Sequence, residues 1–119
     1  PQPIIKARLL VLLSGRYGEL GDTTARTDLI RRATEVLEGS DEPVVQLQLM
    51  YRLADAYDTL GRDAEAAELL RRAAPRREAL RDRLRPEVHA DLVKVESFLA
   101  TAAGEHRRAI GLAEAALRE

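Results

Sequence analysis

Tyr51, Asp55 and Asp58 follow one another at spacings of four and three, so a helix carries them on one side. A phenol beside two carboxylates suits acid–base work on a substrate or polar contact with a basic partner. The first use needs a nucleophile, a cofactor loop or a glycine-rich phosphate cradle nearby, and the sequence offers none. The expectation is therefore a helix face, either solvated or meeting a basic or polar partner, with no catalytic residue. His89 has Glu87 and Asp91 beside it, but a metal needs three or four converging ligands, so it is read as an edge histidine. No metal and no cofactor are expected.

A second group of side chains is basic. Arg71, Arg72, Arg76, Arg77, Arg81, Arg83 and Arg85 crowd one stretch, offset within it only by Glu78 and Asp82. Helical spacing pairs Glu78 with Arg81 and Asp82 with Arg85. The stretch is read first as a solvated or interdomain face. The alternative is an anion-binding surface built on Arg72, Arg76, Arg77 and Arg81, facing nucleic acid or the acidic segment of another copy. No aromatic residue lies within it, so bases have nothing to stack on, and nucleic acid is the less expected partner.

The elements that position these groups are helices. The chain has 119 residues, and 45% of them are apolar, enough for a single-domain core. Only three Tyr and one Phe are present, so the core must be built from Leu, Ala, Val and Ile. That bias, with abundant Arg and Glu, favours helix over strand. Net charge is −1, which gives no general bias towards nucleic acid or membrane. The charge is uneven, however: residues 1–18 carry +3, 19–68 carry −7, 69–85 carry +5 and 86–119 carry −2. The absence of Cys suits a reducing, cytoplasmic setting. The apolar run from Ile4 to Gly15 contains Lys6 and Arg8 and is too short to span a bilayer. It is a weak candidate for a signal peptide, because no small-residue cleavage site follows it. The chain begins Pro-Gln-Pro, which points to an excised fragment or a processed chain.

Punctuation divides the chain into six expected helices. Pro3 opens the first, which runs to about Leu20 and stops at Gly21. Thr23 or Thr24 caps the second, which ends near Glu38. Ser40 or Asp41 caps the third, with Pro43 in its first turn, and Gly61 ends it. Asp63 caps the fourth, which Pro75 either ends near Ala74 or kinks. The kinked form, reaching about Leu84, is preferred because strong helix formers continue. Pro86 opens the fifth, Gly104 breaks it, and a sixth runs from Glu105 to Arg118. Gly21 and Gly61 lie 40 residues apart, and Gly61 and Gly104 lie 43 apart. A near-constant period of this size indicates a helical repeat array.

The repeated residues carry a resemblance. The middle stretch reads Met50, Leu53-Ala54, Tyr57, Leu60-Gly61, Ala66, Leu70, Ala73. This is similar to the tetratricopeptide pattern of a large residue, Leu-small, Tyr, Gly, Ala, a large residue and Ala. The first reads Leu10, Leu13-Ser14, Tyr17, Leu20-Gly21, Ile30 and Ala33, and departs at Arg26, where a small residue is expected. The third keeps Gly104, Ala109, Ala113 and Ala116. Its first helix puts Glu96 and Ser97 at the Leu-small positions, and a one-residue shift would align Leu92, Val95 and Leu99 instead. The late proline of the pattern is missing, since Pro75 comes too early.

The chain thus resembles a tetratricopeptide-repeat protein along almost its whole length. The period exceeds the usual one of about 34 residues, as in kinesin light chains and the sensor regions of large bacterial regulators. HEAT-like repeats match in length but give no reason to repeat Tyr and Leu-Gly.

The resemblance implies an all-α fold, a right-handed α-α superhelix (solenoid) of three helix pairs at about residues 4–39, 43–85 and 86–118, in one domain spanning 1–119. It implies a scaffold or sensor that holds a peptide or partner domain in a concave groove faced by Tyr51, Asp55 and Asp58. It makes His106 a packing residue. It points to a cytoplasmic bacterial parent such as a transcriptional regulator or signalling ATPase. Clamping of a partner's C-terminal carboxylates is disfavoured, because that needs Asn and the chain has none. The apolar end helices, one containing Ile4, Leu9 and Leu12 and the other Ile110 and Leu117, suggest a cut solenoid or self-association.

Overall fold

The computed structural model describes residues 2–118, the side chains of His106, Ala109 and Ala116 excepted. The expectations placed on those three side chains lie outside the described residues. Among the described residues there are five α-helices, one short 3-10 turn and no strand. They are α1 (Pro3–Glu19), α2 (Thr23–Leu37), α3 (Pro43–Thr59), α4 (Asp63–Ala79), the 3-10 turn Arg81–Arg83 and α5 (Pro86–Arg118). Among the described residues no helix is long and apolar enough to cross a membrane.

The first four helices form two hairpins, and the same turn closes both. The Asp22 amide donates to the Tyr17 carbonyl and the Gly21 amide to the Gly18 carbonyl. Forty residues on, Arg62 donates to Tyr57 and Gly61 to Asp58. This is the six-to-one and five-to-two bonding that ends a helix on a left-handed residue. Gly21 and Gly61 supply that residue, with φ of 79° and 78°, a conformation that costs a side-chain-bearing residue about 1–2 kcal/mol. The helix starts differ from expectation by one or two residues. Asp22 caps α2, accepting from the Ala25 amide at 3.0 Å. Glu42 and Arg62 occupy the cap positions of α3 and α4 without a side-chain cap bond.

Two larger expectations are corrected. Helix α4 passes through Pro75, neither stopping at Ala74 nor reaching Leu84, and ends at Ala79. Leu80 then turns inward and is buried against Leu47, Met50, Tyr51, Ala73 and Leu92. The second correction is at Gly104. Helix α5 runs without a break for 33 residues, so the third hairpin is a single helix. Glycine lowers helix propensity by about 1 kcal/mol, too little to stop a helix by itself. Gly21 and Gly61 end their helices in the left-handed conformation, which Gly104 does not adopt.

Helix α3 is central. Its residues enter all three buried clusters: one with Ile30, Ala66 and Leu99, one with Ala73, Leu80 and Leu92, and one with Ala7, Ala33 and Leu37. It packs against α2, α4 and α5. Ala54 and Ala56 are wholly buried, and such small side chains let helix axes approach to about 8–10 Å. Among the described residues Leu92 and Leu99 are the buried ones of α5, with Val95 packed beside them. These are the three residues that the one-residue shift would bring into line.

Candidate functional site

Two grooves flank α3. The smaller, of about 440 Å³, lies between α3 and α5 and ends at Arg26 of α2. Leu92, Val95 and Phe98 give it an apolar side, and Gln48, Arg52, Asp55, Asp91 and Lys94 a polar one. Helix periodicity explains this mixture. Tyr51 and Asp55 are one turn apart on α3, as are Asp91 and Val95, and Lys94 and Phe98, on α5.

The structure brings Tyr51 and Asp55 into this groove and leaves Asp58 outside its lining. Tyr51 is only 2% exposed and serves as a wall. Its hydroxyl donates to Glu96 at 2.8 Å, and Arg77 donates to both Tyr51 and Glu96. Burial pushes the Tyr51 pKa up; the Arg77 hydrogen bond works against that rise, and the Glu96 bond and charge add to it. Asp55 is half-buried and paired with Arg26 at 3.4 Å. The groove is therefore not acidic: three cations (Arg26, Arg52 and Lys94) face two carboxylates (Asp55 and Asp91).

Arg26 broke the repeat pattern, and its position accounts for the departure. The small residue needed at this crossing is Gly18 on α1, where an added Cβ would come within 3.1 Å of the Arg26 Cδ. The arginine stem lies over the glycine and its head reaches Asp55. Asp58 instead faces Asp63 at the turn into α4. Partial burial raises its pKa, and the Asp63 and Asp55 charges raise it further.

Two arginines of the basic stretch are engaged by acids outside it, and a third by an acid within it. Arg71 is bonded to Glu68 and Arg77 to Glu96, while Arg81 lies 3.5 Å from Glu78. Partial burial opposes the Arg77 charge, and its bonds to Glu96 and Tyr51 outweigh that, so its pKa is raised. With its side chain 17% exposed, Arg77 is a joint between α4 and α5, not a surface cation. Arg72 and Arg76 line the second groove, of about 1040 Å³, between α2 and α4. Met50, Leu53, Tyr57 and Leu69 give that groove its apolar side, and Glu35, Glu65 and Glu68 also border it.

Sequence reasoning missed Arg26, Gln48, Arg52, Asp91, Lys94 and Phe98. The break in pattern at Arg26 was a usable signal; the others depend on α5 lying beside α3. Among the described residues no group of three or more His, Asp or Glu can hold a metal, and no buried side-chain nitrogen or oxygen lacks a partner. The chain matches no family model, no curated protein and no solved structure.

Proposed function

We propose that the chain is a tetratricopeptide-like interaction module that holds a partner's peptide or helix in the α3–α5 groove. The observation that carries this is the groove's lining: an apolar side ending in the exposed ring of Phe98, bordered by paired and unlike charges. Mixed lining of that kind suits recognition of a segment with an apolar anchor and charged neighbours. Asp55 is already paired with Arg26, so a basic partner has to displace a cation. An acidic residue beside the anchor meets Arg52 and Lys94 directly. The finer arrangement we propose is a right-handed superhelix in which α1–α2 and α3–α4 are two helix pairs and α5 stacks after them. Its support is the identical turn at Gly21 and Gly61 and the shared positions Tyr17 and Tyr57. A role as a scaffold or sensor within a bacterial regulator belongs to the same proposal.

A selection from a displayed random-peptide library tests it. Captured peptides should share an apolar residue next to Asp or Glu. Phe98→Glu and Lys94→Glu should abolish capture, while Arg72→Glu, in the α2–α4 groove, should leave it intact. Capture that survives both changes in the α3–α5 groove, or that Arg72→Glu removes, overturns the assignment. DNA or RNA binding that collapses with added salt and is lost in Arg72→Ala/Arg76→Ala transfers the proposal to the anion-binding alternative.

A further inference from the structure

The buried face of α5 continues beyond the body it packs on. Leu92 and Leu99 are 2% and 7% exposed against α3 and its neighbours. Ile110 and Leu117 each follow one of them by 18 residues, which is five whole turns at 3.6 residues per turn. They therefore lie on the same helix face, about 27 Å further along the axis. Ile110 is 45% exposed and Leu117 87%, and Ala113 stands between them on that face. The distal half of α5 thus presents a core-type stripe with nothing packed on it among the described residues.

The charges beside the stripe favour one occupant. Arg107 and Glu114 are seven residues apart on one flank of it, close to two full turns. Two such helices lying antiparallel set Arg107 of each copy against Glu114 of the other, and the two-fold axis makes both pairs at once. The other exposed apolar stripe, Ile5, Leu9 and Leu12 on α1, is a poorer partner. It is flanked by Lys6, Arg8 and Arg16, which would lie against Arg107, Arg108 and Arg118.

We propose that the distal half of α5 is a self-association surface, on which a second copy of this chain packs antiparallel through Ile110, Ala113 and Leu117, with Arg107 facing the other copy's Glu114. The stripe is short, so association is weak, with a dissociation constant on the order of 0.1 mM.

Sedimentation equilibrium from about 10 µM to 1 mM tests this. The chain should pass from monomer to dimer across that range. Ile110→Glu should hold it monomeric, and Leu112→Glu, on the opposite face of the helix, should not. Arg107→Glu should weaken the dimer about tenfold, because two rim pairs turn repulsive. Arg107→Glu combined with Glu114→Arg should restore it. Circular dichroism on each variant separates lost association from lost folding. A chain that stays monomeric throughout overturns the proposal, as does a dimer indifferent to Ile110→Glu. A double reversal that fails to restore association overturns the antiparallel arrangement.

Discussion

At the residue scale, small side chains and half-buried charges hold the helices in place. Ala54 has no exposed surface and shares a cluster with Leu53, Tyr57 and Ala66. Ala54→Leu forces extra methyl groups into a filled crossing, and should cost about 1–3 kcal/mol, read as a lower melting temperature. Asp58 behaves in the opposite sense. Partial burial and the nearby Asp63 and Asp55 charges raise its folded pKa. The fold is therefore favoured while this carboxyl is protonated, and that contribution is lost as pH rises through its folded pKa. Asp58→Asn should raise the melting temperature at pH 7, and the gain should vanish at acid pH, where the wild-type carboxyl is itself neutral. The roles of Asp58 and Arg77 were the hardest to read from sequence. Their partners, Asp63 and Glu96, lie on other helices, and only the folded chain brings them together.

At the scale of elements, the sequence was legible wherever a local cause decides the structure. Pro3, Pro43 and Pro86 each begin a helix, and Gly21 and Gly61 each end one. It was misleading where the same residue type serves two conformations. Gly104 looked like Gly61, yet Gly61 is at φ 78° while Gly104 lies inside a helix with open space around its Cα. Alanine substitution separates them. Gly61→Ala should destabilise the chain by about 1 kcal/mol or more, since it forces a side chain into the left-handed region. Gly104→Ala should stabilise it by up to about 1 kcal/mol. Thermal melts followed by circular dichroism give both signs. A destabilising Gly104→Ala would mean that the chain turns at that position, as its repeat pattern suggests.

At the scale of the whole molecule, the chain is elongated, with extents of 63 × 35 × 23 Å. The central α3 gathers neighbours on several sides, and the two grooves beside it differ in character for a topological reason. One is bounded by the second helices of the two hairpins, the other by α3 and the lone α5. The candidate site was only half legible, because Tyr51 and Asp55 sit on α3 while the facing wall belongs to α5, whose register was ambiguous. The uninterrupted run of α5 has a consequence for its own backbone. Its hydrogen-bond ladder is continuous from Pro86 to Arg118, yet among the described residues tertiary packing buries only side chains of the first part. Amide hydrogen exchange should therefore be graded along this one helix. Around Leu92 it should be slow, requiring α5 to leave α3; beyond Gly104 it should be fast, requiring only fraying from the end. A helix that is one element by its bonding should divide into two by its opening free energy.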